Sequence, residues 1–491
     1  MSLRLKAARS LVWTALESGG LSVLSFVTLV VVARLVTPAE LGVFTVALGI
    51  IQILTLPVEM LFHDALVQRP DTGDEHYDSA FTASLILSLL LSGGCVLSSD
   101  AISWLFSEPD AGRVLSVMSL SLIASALGGT LMARQRREFA FRVLALRSLV
   151  GRLIGAGIGI IAALRGGGIW SLVAQQIAMA AFASGLLWYF APHRPRLRIV
   201  PRRLVEMMRF GSASLTNTAL QMTEVRIFML MVAAGLGPTA AGYINLAFRI
   251  VDMPRDVLAG AASQLALPLF RGIAQDRDAL NGAYAEAVSF TCMLSFPIFL
   301  GLAACSPEVV ELVFGVQWVP AVPYVTVFAL LTIFYFPKLY GGELISALGS
   351  PQKFTPVLIV SVATIVIGML SIGTWALWLA VAVWVLRLAT SVPVQIALIR
   401  RCTGLPVREQ LRGIGAPLTA ALLMMALVRG LGWGPFADWT IAHRLAAMVL
   451  CGALLYTAAL FALDHRALRR LIAFAHLGRG RIAPAPSQGV A

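Results

Sequence analysis

The chain has 491 residues, of which 58% are apolar and 13% charged, and its mean hydropathy is +0.83. Soluble domains contain about 45–50% apolar and about 25% charged residues, so this composition excludes a soluble multidomain enzyme and a disordered chain. The net charge of +13 would suggest a nucleic-acid partner in a soluble protein. Here we expect no nucleic acid, because the positive charges follow a membrane topology.

Long apolar stretches separated by charges, glycine and proline predict about fourteen transmembrane helices, at about 20 residues each. The first seven are predicted at residues 11–34, 39–66, 79–99, 113–133, 143–164, 169–191 and 210–234. The other seven are predicted at residues 239–270, 279–304, 320–347, 354–372, 374–399, 413–430 and 440–463. The sequence therefore predicts an all-α polytopic membrane protein without an extramembrane domain.

The distribution of positive charges predicts the orientation of these helices. With the N-terminus in the cytoplasm, 27 of the 38 Lys and Arg residues fall in cytoplasmic segments and five in outer segments. Cytoplasmic loops carry this excess in multi-pass proteins of the inner membrane, so we expect both termini in the cytoplasm. The longest outer loops are predicted near residues 100–112 and 305–319.

An internal repeat predicts the domain organisation. A shift of 200 residues places Pro38 and Gly42 on Pro238 and Gly242, at the turn between the first two helices of each half. The sequence therefore predicts an N-terminal six-helix bundle (1–205), a C-terminal six-helix bundle (206–402), two extra helices (403–466) and a disordered cytoplasmic tail (467–491). Two halves of six helices share one orientation, and a site is expected between them.

Ionisable side chains inside the spans are the candidates for a functional site, because a charge at membrane depth is costly unless it faces a cavity or a partner. The candidate substrate-binding cations are Arg152, Arg226, Arg249, Arg255, Lys338 and Arg387. The candidates for ion coupling are Glu17, Glu224, Asp252 and Asp256, and Asn217 and Gln221 are candidate polar groups of the cavity. We expect no catalytic residue, no metal site and no cofactor.

The eighth span carries the densest group of charges. Arg249, Asp252, Arg255 and Asp256 fall within an arc of about 120° at about 100° per residue. This face either opens on a cavity or forms a self-neutralised stripe, since i,i+3 and i,i+4 pairs are within reach. For Arg152, Lys338 and Arg387, a structural ion pair is an equally good interpretation. Glu17 either couples an ion or extends toward the cytoplasm.

Three motifs resemble those of a known family. Residues 33–44 read ARLVTPAELGVF and are similar to the turn after the first helix of bacterial polysaccharide flippases. Residues 168–173 read GIWSLV and are similar to the family's motif at the sixth helix. Residues 314–321 read FGVQWVPA and are similar to its segment before the tenth helix. The chain thus resembles the Wzx-type oligosaccharide flippases, in the multidrug/oligosaccharidyl-lipid/polysaccharide superfamily, over roughly residues 1–460.

The resemblance implies two six-helix bundles around a central V-shaped cavity. It also implies an activity that moves undecaprenyl-diphosphate-linked glycans from the inner to the outer leaflet of the bilayer. The glycan lipid and the bilayer are the expected partners, together with a polysaccharide polymerase and export machinery. Arginine suits a diphosphate because it combines a fixed charge with bidentate donors.

Three alternatives remain open at this point. A lipid II flippase of the same superfamily would share the fourteen spans and the diphosphate chemistry. A multidrug antiporter would be expected to have twelve spans and cationic substrates. A membrane-embedded polysaccharide polymerase or ligase would need catalytic groups on a large outer loop, and the outer loops here are short.

Overall fold

The structure, a computed structural model, describes residues 20–21, 24–69, 71–191 and 194–464, and helices joined by short turns make up this part of the chain. The helices of its first part are α1 (Leu24–Leu35), α2 (Pro38–Gln68), α3 (Asp74–Leu97), α4 (Ser99–Leu105), α5 (Pro109–Met118), α6 (Leu120–Arg137), α7 (Phe141–Leu164), α8 (Ile169–Phe190), α9 (Pro201–Leu236) and α10 (Pro238–Gly272). Those of its second part are α11 (Arg277–Ala304), α12 (Ser306–Val309), α13 (Val322–Lys338), α14 (Gly341–Ala347), α15 (Thr355–Gly368), α16 (Leu377–Thr403), α17 (Val407–Gln410), α18 (Gly415–Trp433) and α19 (Ile441–Leu463). No strand occurs among the described residues, so the predicted all-α class is confirmed.

The membrane-spanning character of the chain follows from its helices. Eleven helical segments of the described chain are long and apolar enough to cross a bilayer. Helices α9 and α10, with 36 and 35 residues, are longer still but carry more charges. The number of fourteen spans stays a prediction, and Glu17 and the predicted tail (467–491) lie outside the described residues. The chain is a multi-pass α-helical membrane protein.

Short helices occupy the two stretches for which outer loops were predicted. Helices α4 and α5 cover most of residues 100–112. Most of residues 305–319 belong to α12, to a π-helical turn (Val310–Phe314) or to a 3-10 turn (Val316–Ala321). Within residues 100–112, Ala111 and Gly112 of α5 are buried, so this stretch packs against the protein instead of staying open. Both stretches are therefore packed parts of the protein.

The helices form two compact units. Unit 1 comprises Met1–Val257, Val313–Val325 and Ser350–Leu398, and unit 2 comprises Leu258–Leu312, Thr326–Gly349 and Ile399–Ala491. Each unit is built from several stretches of the chain. The division into bundles at 1–205 and 206–402, with extra helices at 403–466, stays a prediction.

In unit 1, the turn before α2 is defined by local hydrogen bonds. Thr37 caps α2: its backbone N–H donates to Glu40 Oε2 (2.8 Å), and its hydroxyl oxygen accepts from the Glu40 backbone N–H (3.3 Å). Pro38 follows at the first helical position, where its fixed φ is favourable and its missing N–H costs nothing. The repeat-related Pro238 begins α10 in the same way, directly after Gly237 at φ +85°.

The two repeat-related turns pack directly against each other within unit 1. A Cβ atom built on Gly42 would lie 1.7 Å from the Pro238 carbonyl oxygen, and one built on Gly242 would lie 2.0 Å from the Pro38 carbonyl oxygen. The contact is therefore reciprocal, backbone against backbone, and leaves no room for a side chain on either glycine.

The third motif, at residues 314–321, packs against the end of α1. Trp318 is fully buried, and its indole Nε1 donates to the carbonyl oxygen of Ala33 (2.7 Å). The Gln317 side-chain amide donates to the same oxygen (2.7 Å), and Arg34 Nε donates to the Val313 carbonyl (2.9 Å). The motifs at residues 33–44 and 314–321 thus contact each other, because the second supplies donors to carbonyls that the end of α1 leaves free.

At the other end of α2, the start of α9 is bound to the first helices of unit 1. Met207 packs in an apolar cluster with Phe62, Leu66, Tyr77 and other buried side chains of α2, α3 and α6. Ion pairs lie beside this cluster, and Arg69, directly after α2, lies 3.5 Å from the Glu206 carboxylate. The start of α9 is therefore a fixed part of unit 1.

In unit 2, the last two helices are attached by polar contacts to α11 and α12. Arg429 on α18 donates to the Ala304 carbonyl (2.9 Å), and Tyr456 on α19 donates to the Met293 carbonyl (2.7 Å). Arg444 lies 3.3 Å from the buried carboxylate of Glu308. Three separate polar contacts thus hold α18 and α19 in place.

Candidate functional site

The structure places five of the six candidate cations in unit 1 and the sixth in unit 2. Arg152 lies on α7, Arg226 on α9, Arg249 and Arg255 on α10, and Arg387 on α16. Lys338, at the end of α13, is half-buried within unit 2. The candidate site described here is therefore the charged group of unit 1.

Arg255 is neutralised by its own helix. Its Nη1 lies 2.7 Å from Asp252 Oδ1, and its Nη2 lies 3.0 Å from Asp256 Oδ1. The self-paired interpretation of the α10 stripe thus describes these three residues. One guanidinium between two carboxylates leaves this part of the stripe with a surplus of negative charge.

Arg249 belongs to the same face of α10 but has different neighbours. Among the described residues it forms no ion pair, and two other cations, Arg226 and Arg152, repel it. It lies deep within the protein, yet its side chain keeps a water-accessible part. A guanidinium does not lose its charge, so mutual repulsion in a low-dielectric surrounding is unfavourable until an anion or water compensates it.

The other two members of this group interact with different residues. Arg152 Nη1 donates to the Ser25 hydroxyl on α1 (2.7 Å), and Arg226 is attracted by Asp252. The charges of Arg226 on α9 and Arg152 on α7 thus act on Arg249 of α10. We call Arg152, Arg226 and Arg249 the cationic triad.

Arg387 is paired within the protein. Its guanidinium donates to the carboxylate of Glu224, which also accepts a hydrogen bond from the Ser361 hydroxyl. The guanidinium carbon also lies 3.8 Å from the centre of the Trp384 ring, at the distance of a cation–π contact. The side chains of Arg387 and Glu224 are only 12% and 13% exposed, so they form a buried, neutral pair.

We expect Glu224→Gln to destabilise the protein, because it leaves the Arg387 guanidinium buried without a counter-charge. Removing one partner of a buried pair costs about 3–5 kcal/mol, whereas the double variant E224Q/R387Q removes both charges and should recover most of that loss. The measurement is the free energy of unfolding in mild detergent. Asp110→Asn, which breaks an exposed pair with Arg113, is the control. Equal stability of the E224Q and D110N proteins would contradict the buried pair.

The remaining candidate groups are outside what the structure describes. Glu17 precedes the first described residue. Asn217 and Gln221 lie on α9, whose backbone is helical there, but their side chains are outside the described part. Their roles as coupling and cavity groups stay predictions.

Sequence reasoning missed an acidic group on α2. The Glu59 carboxyl hydrogen-bonds with Ser125 on α6 and is attracted by Arg147 and Arg136. On the next turn of α2, His63 is buried, and its Nε2 lies 3.3 Å from Arg136 Nη1. The available signal was an acid inside an apolar run that also contains Pro57. Among the described residues, no group of three or more His, Cys, Asp or Glu is arranged to hold a metal.

Two named relatives share much of this sequence. The chain is 28% identical over 486 residues to the succinoglycan biosynthesis transport protein ExoT of Rhizobium meliloti (strain 1021), covering 97% of both chains. It is 24% identical over 329 residues to the lipopolysaccharide biosynthesis protein WzxC of Escherichia coli (strain K12), covering 66% of both.

Solved structures share the fold. The lipid II flippase MurJ in an inward closed conformation superposes with a TM-score of 0.75 at 14% sequence identity, covering 93% of this chain and 99% of that one. An inward-facing transporter of the multidrug resistance MATE family gives a TM-score of 0.61 at 16% identity, covering 78% and 95%. At these identities the likeness concerns the fold alone.

A family model settles the membership. The model described as "Polysaccharide biosynthesis protein" matches residues 31–323, which is more than half of the chain and includes all three sequence motifs and the cationic triad. The chain therefore belongs to the polysaccharide biosynthesis protein family.

Proposed function

We propose that this protein is a flippase that moves undecaprenyl-diphosphate-linked oligosaccharide repeat units across the bacterial inner membrane. The repeat units would serve the synthesis of a surface polysaccharide, either lipopolysaccharide or exopolysaccharide. The observation that carries the proposal is the cationic triad, in which Arg249 has two cationic neighbours and no paired carboxylate among the described residues.

The chemistry of the cargo explains why such a group is useful. A diphosphate that crosses a low-dielectric slab loses the hydration of its negative charges, which is prohibitive without compensating partners. Guanidinium groups supply the charge and also donate paired hydrogen bonds to phosphate oxygens. The bound diphosphate would relieve the repulsion inside the triad, while the sugars stay in water and the lipid tail stays in the bilayer.

Movement of the cargo is proposed to follow alternating access, with the cationic cavity opening to each side of the membrane in turn. Both termini are placed in the cytoplasm by the positive-inside rule. Arg255, Arg387 and Lys338 remain proposed substrate contacts. Because Arg255 and Arg387 are paired in this state, their contribution requires that cargo compete with Asp252 or Glu224.

Coupling to an ion is part of the proposal. A carboxylate that pairs in one state and is protonated in another would link proton movement to the conformational change. The candidates are Glu17, Glu224, Asp252 and Asp256, and we add Glu59, whose carboxyl hydrogen-bonds with Ser125. Full export by Glu17→Gln, Glu224→Gln and Asp252→Asn would refute coupling through these three residues.

Transport, and not catalysis, is the activity that the comparisons support. The name of ExoT, which matches over 97% of both chains, describes a transport protein. The two solved structures with this fold are a flippase and a transporter. A lipid II flippase remains the second candidate, because that solved structure has this fold and its cargo also carries a diphosphate. A multidrug antiporter is less consistent with the triad, because arginines repel cationic drugs.

A deletion strain distinguishes these functions. Loss of the proposed flippase should abolish surface polysaccharide and leave lipid-linked repeat units accessible only from the cytoplasmic side. Loss of a polymerase would leave single repeat units on the outer surface. Loss of an essential lipid II flippase would arrest peptidoglycan synthesis, and this outcome would transfer the assignment to the second candidate.

A further inference from the structure

Exposed aromatic side chains precede the connection between α8 and α9. Helix α8 ends with Tyr189 and Phe190, whose side chains are 82% and 40% exposed. Aromatic side chains with exposed rings concentrate at the boundary between the hydrocarbon core and the headgroups. Residues 194–200 follow this boundary and lead into α9 at Pro201. The positive-inside rule assigns this end of the helices to the cytoplasm.

This connection is held in an extended form by α3. The backbone N–H groups of Arg196, Arg198 and Val200 donate to side chains of α3, which are Asp78 Oδ1 (2.8 Å), Thr82 Oγ1 (3.0 Å) and Ser79 Oγ (3.0 Å). Bonding at every second residue gives an extended register, in which the alternate residues point elsewhere. The segment is thus an ordered surface of unit 1.

Large apolar side chains are exposed along this surface. Leu197 is 73% exposed and Ile199 is 43% exposed, and both alternate with the residues that bond to α3. On the first turns of α9, Val205 and Met208 are 56% and 43% exposed. Four such side chains within twelve residues are unfavourable in water, but they suit a surface that lies at the boundary of headgroups and acyl chains.

Arginines are interleaved with these apolar groups. The stretch contains Arg194, Arg196, Arg198, Arg202, Arg203 and Arg209. Arg198 lies 3.4 Å from Glu75, and Arg202 lies 3.4 Å from Glu206 while its side chain stays 86% exposed. Within the described part of the chain, Arg194 and Arg196 form no ion pair. The cations outnumber the neighbouring carboxylates, so the surface is complementary to anions.

We propose that residues 194–209 bind the headgroups of anionic phospholipids in the cytoplasmic leaflet. The arginines contact the lipid phosphates, which accept bidentate hydrogen bonds from guanidinium groups. Leu197 and Ile199 contact the upper acyl chains. Because α3 fixes the segment, lipid binds a prepared surface and anchors the start of α9, which the apolar cluster around Met207 joins to α2, α3 and α6. The proposal concerns the bilayer lipids and is independent of the cargo.

The test compares purified variants in nanodiscs that contain equal amounts of phosphatidylglycerol and phosphatidylcholine. Native mass spectrometry gives the ratio of the two lipids retained by the protein. We expect R194Q/R196Q/R202Q to lower this ratio about fivefold or more, since each arginine near an anionic surface contributes on the order of 1 kcal/mol. The charge-preserving variant R194K/R196K/R202K should keep most of the preference.

A matched control removes the same charge elsewhere. Arg400, Arg401 and Arg408 are also exposed and also assigned to the cytoplasm, and R400Q/R401Q/R408Q should retain the wild-type lipid ratio. An equal loss in both triple variants would show a general charge effect and overturn the proposed surface. A second readout needs no loss of arginine: a photo-crosslinking residue at position 197 should label phosphatidylglycerol in preference to phosphatidylcholine. Equal labelling of both lipids would also overturn the proposal.

Discussion

Arg249→Gln is expected to abolish most export while the protein stays folded. If cargo diphosphate binds the cationic triad, the variant loses a charged hydrogen-bond donor, a contact worth about 1.5–3 kcal/mol. This corresponds to a decrease of roughly 10-fold to 100-fold in export rate, measured as surface polysaccharide per amount of folded transporter. Arg249→Lys, which keeps the charge but loses the planar pair of donors, should fall between the wild type and R249Q.

The same substitution should not lower the stability of the protein. In the absence of cargo, Arg249 is repelled by Arg226 and Arg152, and no described carboxylate pairs with it. Removing this charge relieves the repulsion, so we expect the unfolding temperature of purified R249Q to equal or exceed that of the wild type. Functional groups that are costly to the folded state show this combination of lower activity and higher stability.

Arg113→Gln serves as the control, because Arg113 is exposed and its ion pair among the described residues is with the exposed Asp110. It should leave both export and stability unchanged. A clearly lower unfolding temperature for R249Q would indicate a structural ion pair. Normal export by the double variant R249A/R255A would remove this group from the cargo pathway altogether.

The helices were predictable because the membrane requires a long apolar run for each one. The prediction of residues 239–270 corresponds to α10 (Pro238–Gly272), and that of residues 39–66 corresponds to α2 (Pro38–Gln68). Helix α4 and the start of α5 lie in a predicted outer loop and were missed, since their stability comes from packing, whereas the rest of α5 lies in the predicted span 113–133. Gly112 on α5 approaches the Ser99 backbone so closely that a Cβ atom would lie 2.0 Å from its carbonyl oxygen. Such a contact leaves no periodic signal in the sequence.

The candidate site was predictable as a set of charges but not as a set of pairs. Helical spacing places Arg249 and Arg255 on one face of α10, and nothing in that spacing distinguishes them. The distinction arises because Asp252 and Asp256 both pair with Arg255, while Arg152 of α7 and Arg226 of α9 repel Arg249. The pairing of Glu224 with Arg387 joins residues 163 positions apart and depends on the packing of α9 against α16.

Gly42→Ala is expected to prevent normal packing of unit 1. The new methyl group would lie 1.7 Å from the carbonyl oxygen and 2.4 Å from the carbonyl carbon of Pro238, and both atoms belong to backbone that cannot rotate away. Relief requires α2 and α10 to separate at their first turns, next to the contacts that Trp318 and Gln317 make with Ala33. Overpacking of this kind costs about 1–3 kcal/mol and sometimes more, and we expect the upper end.

Gly242→Ala should have a similar effect, because its methyl group would lie 2.0 Å from the Pro38 carbonyl oxygen across the same interface. Both substitutions crowd the same contact between α2 and α10, so the double variant should lose less stability than the sum of the single losses.

The measurement for these glycine variants is the yield of monodisperse protein and its unfolding temperature. Gly157→Ala on α7 is the control, since no described atom beyond its chain neighbours and its own helical backbone lies within 4 Å of its Cβ position, and alanine favours a helix. If G42A and G157A were equally stable, α2 and α10 would not meet backbone to backbone at Gly42 and Pro238. Strict additivity of G42A and G242A would mean that the two glycines act at separate contacts.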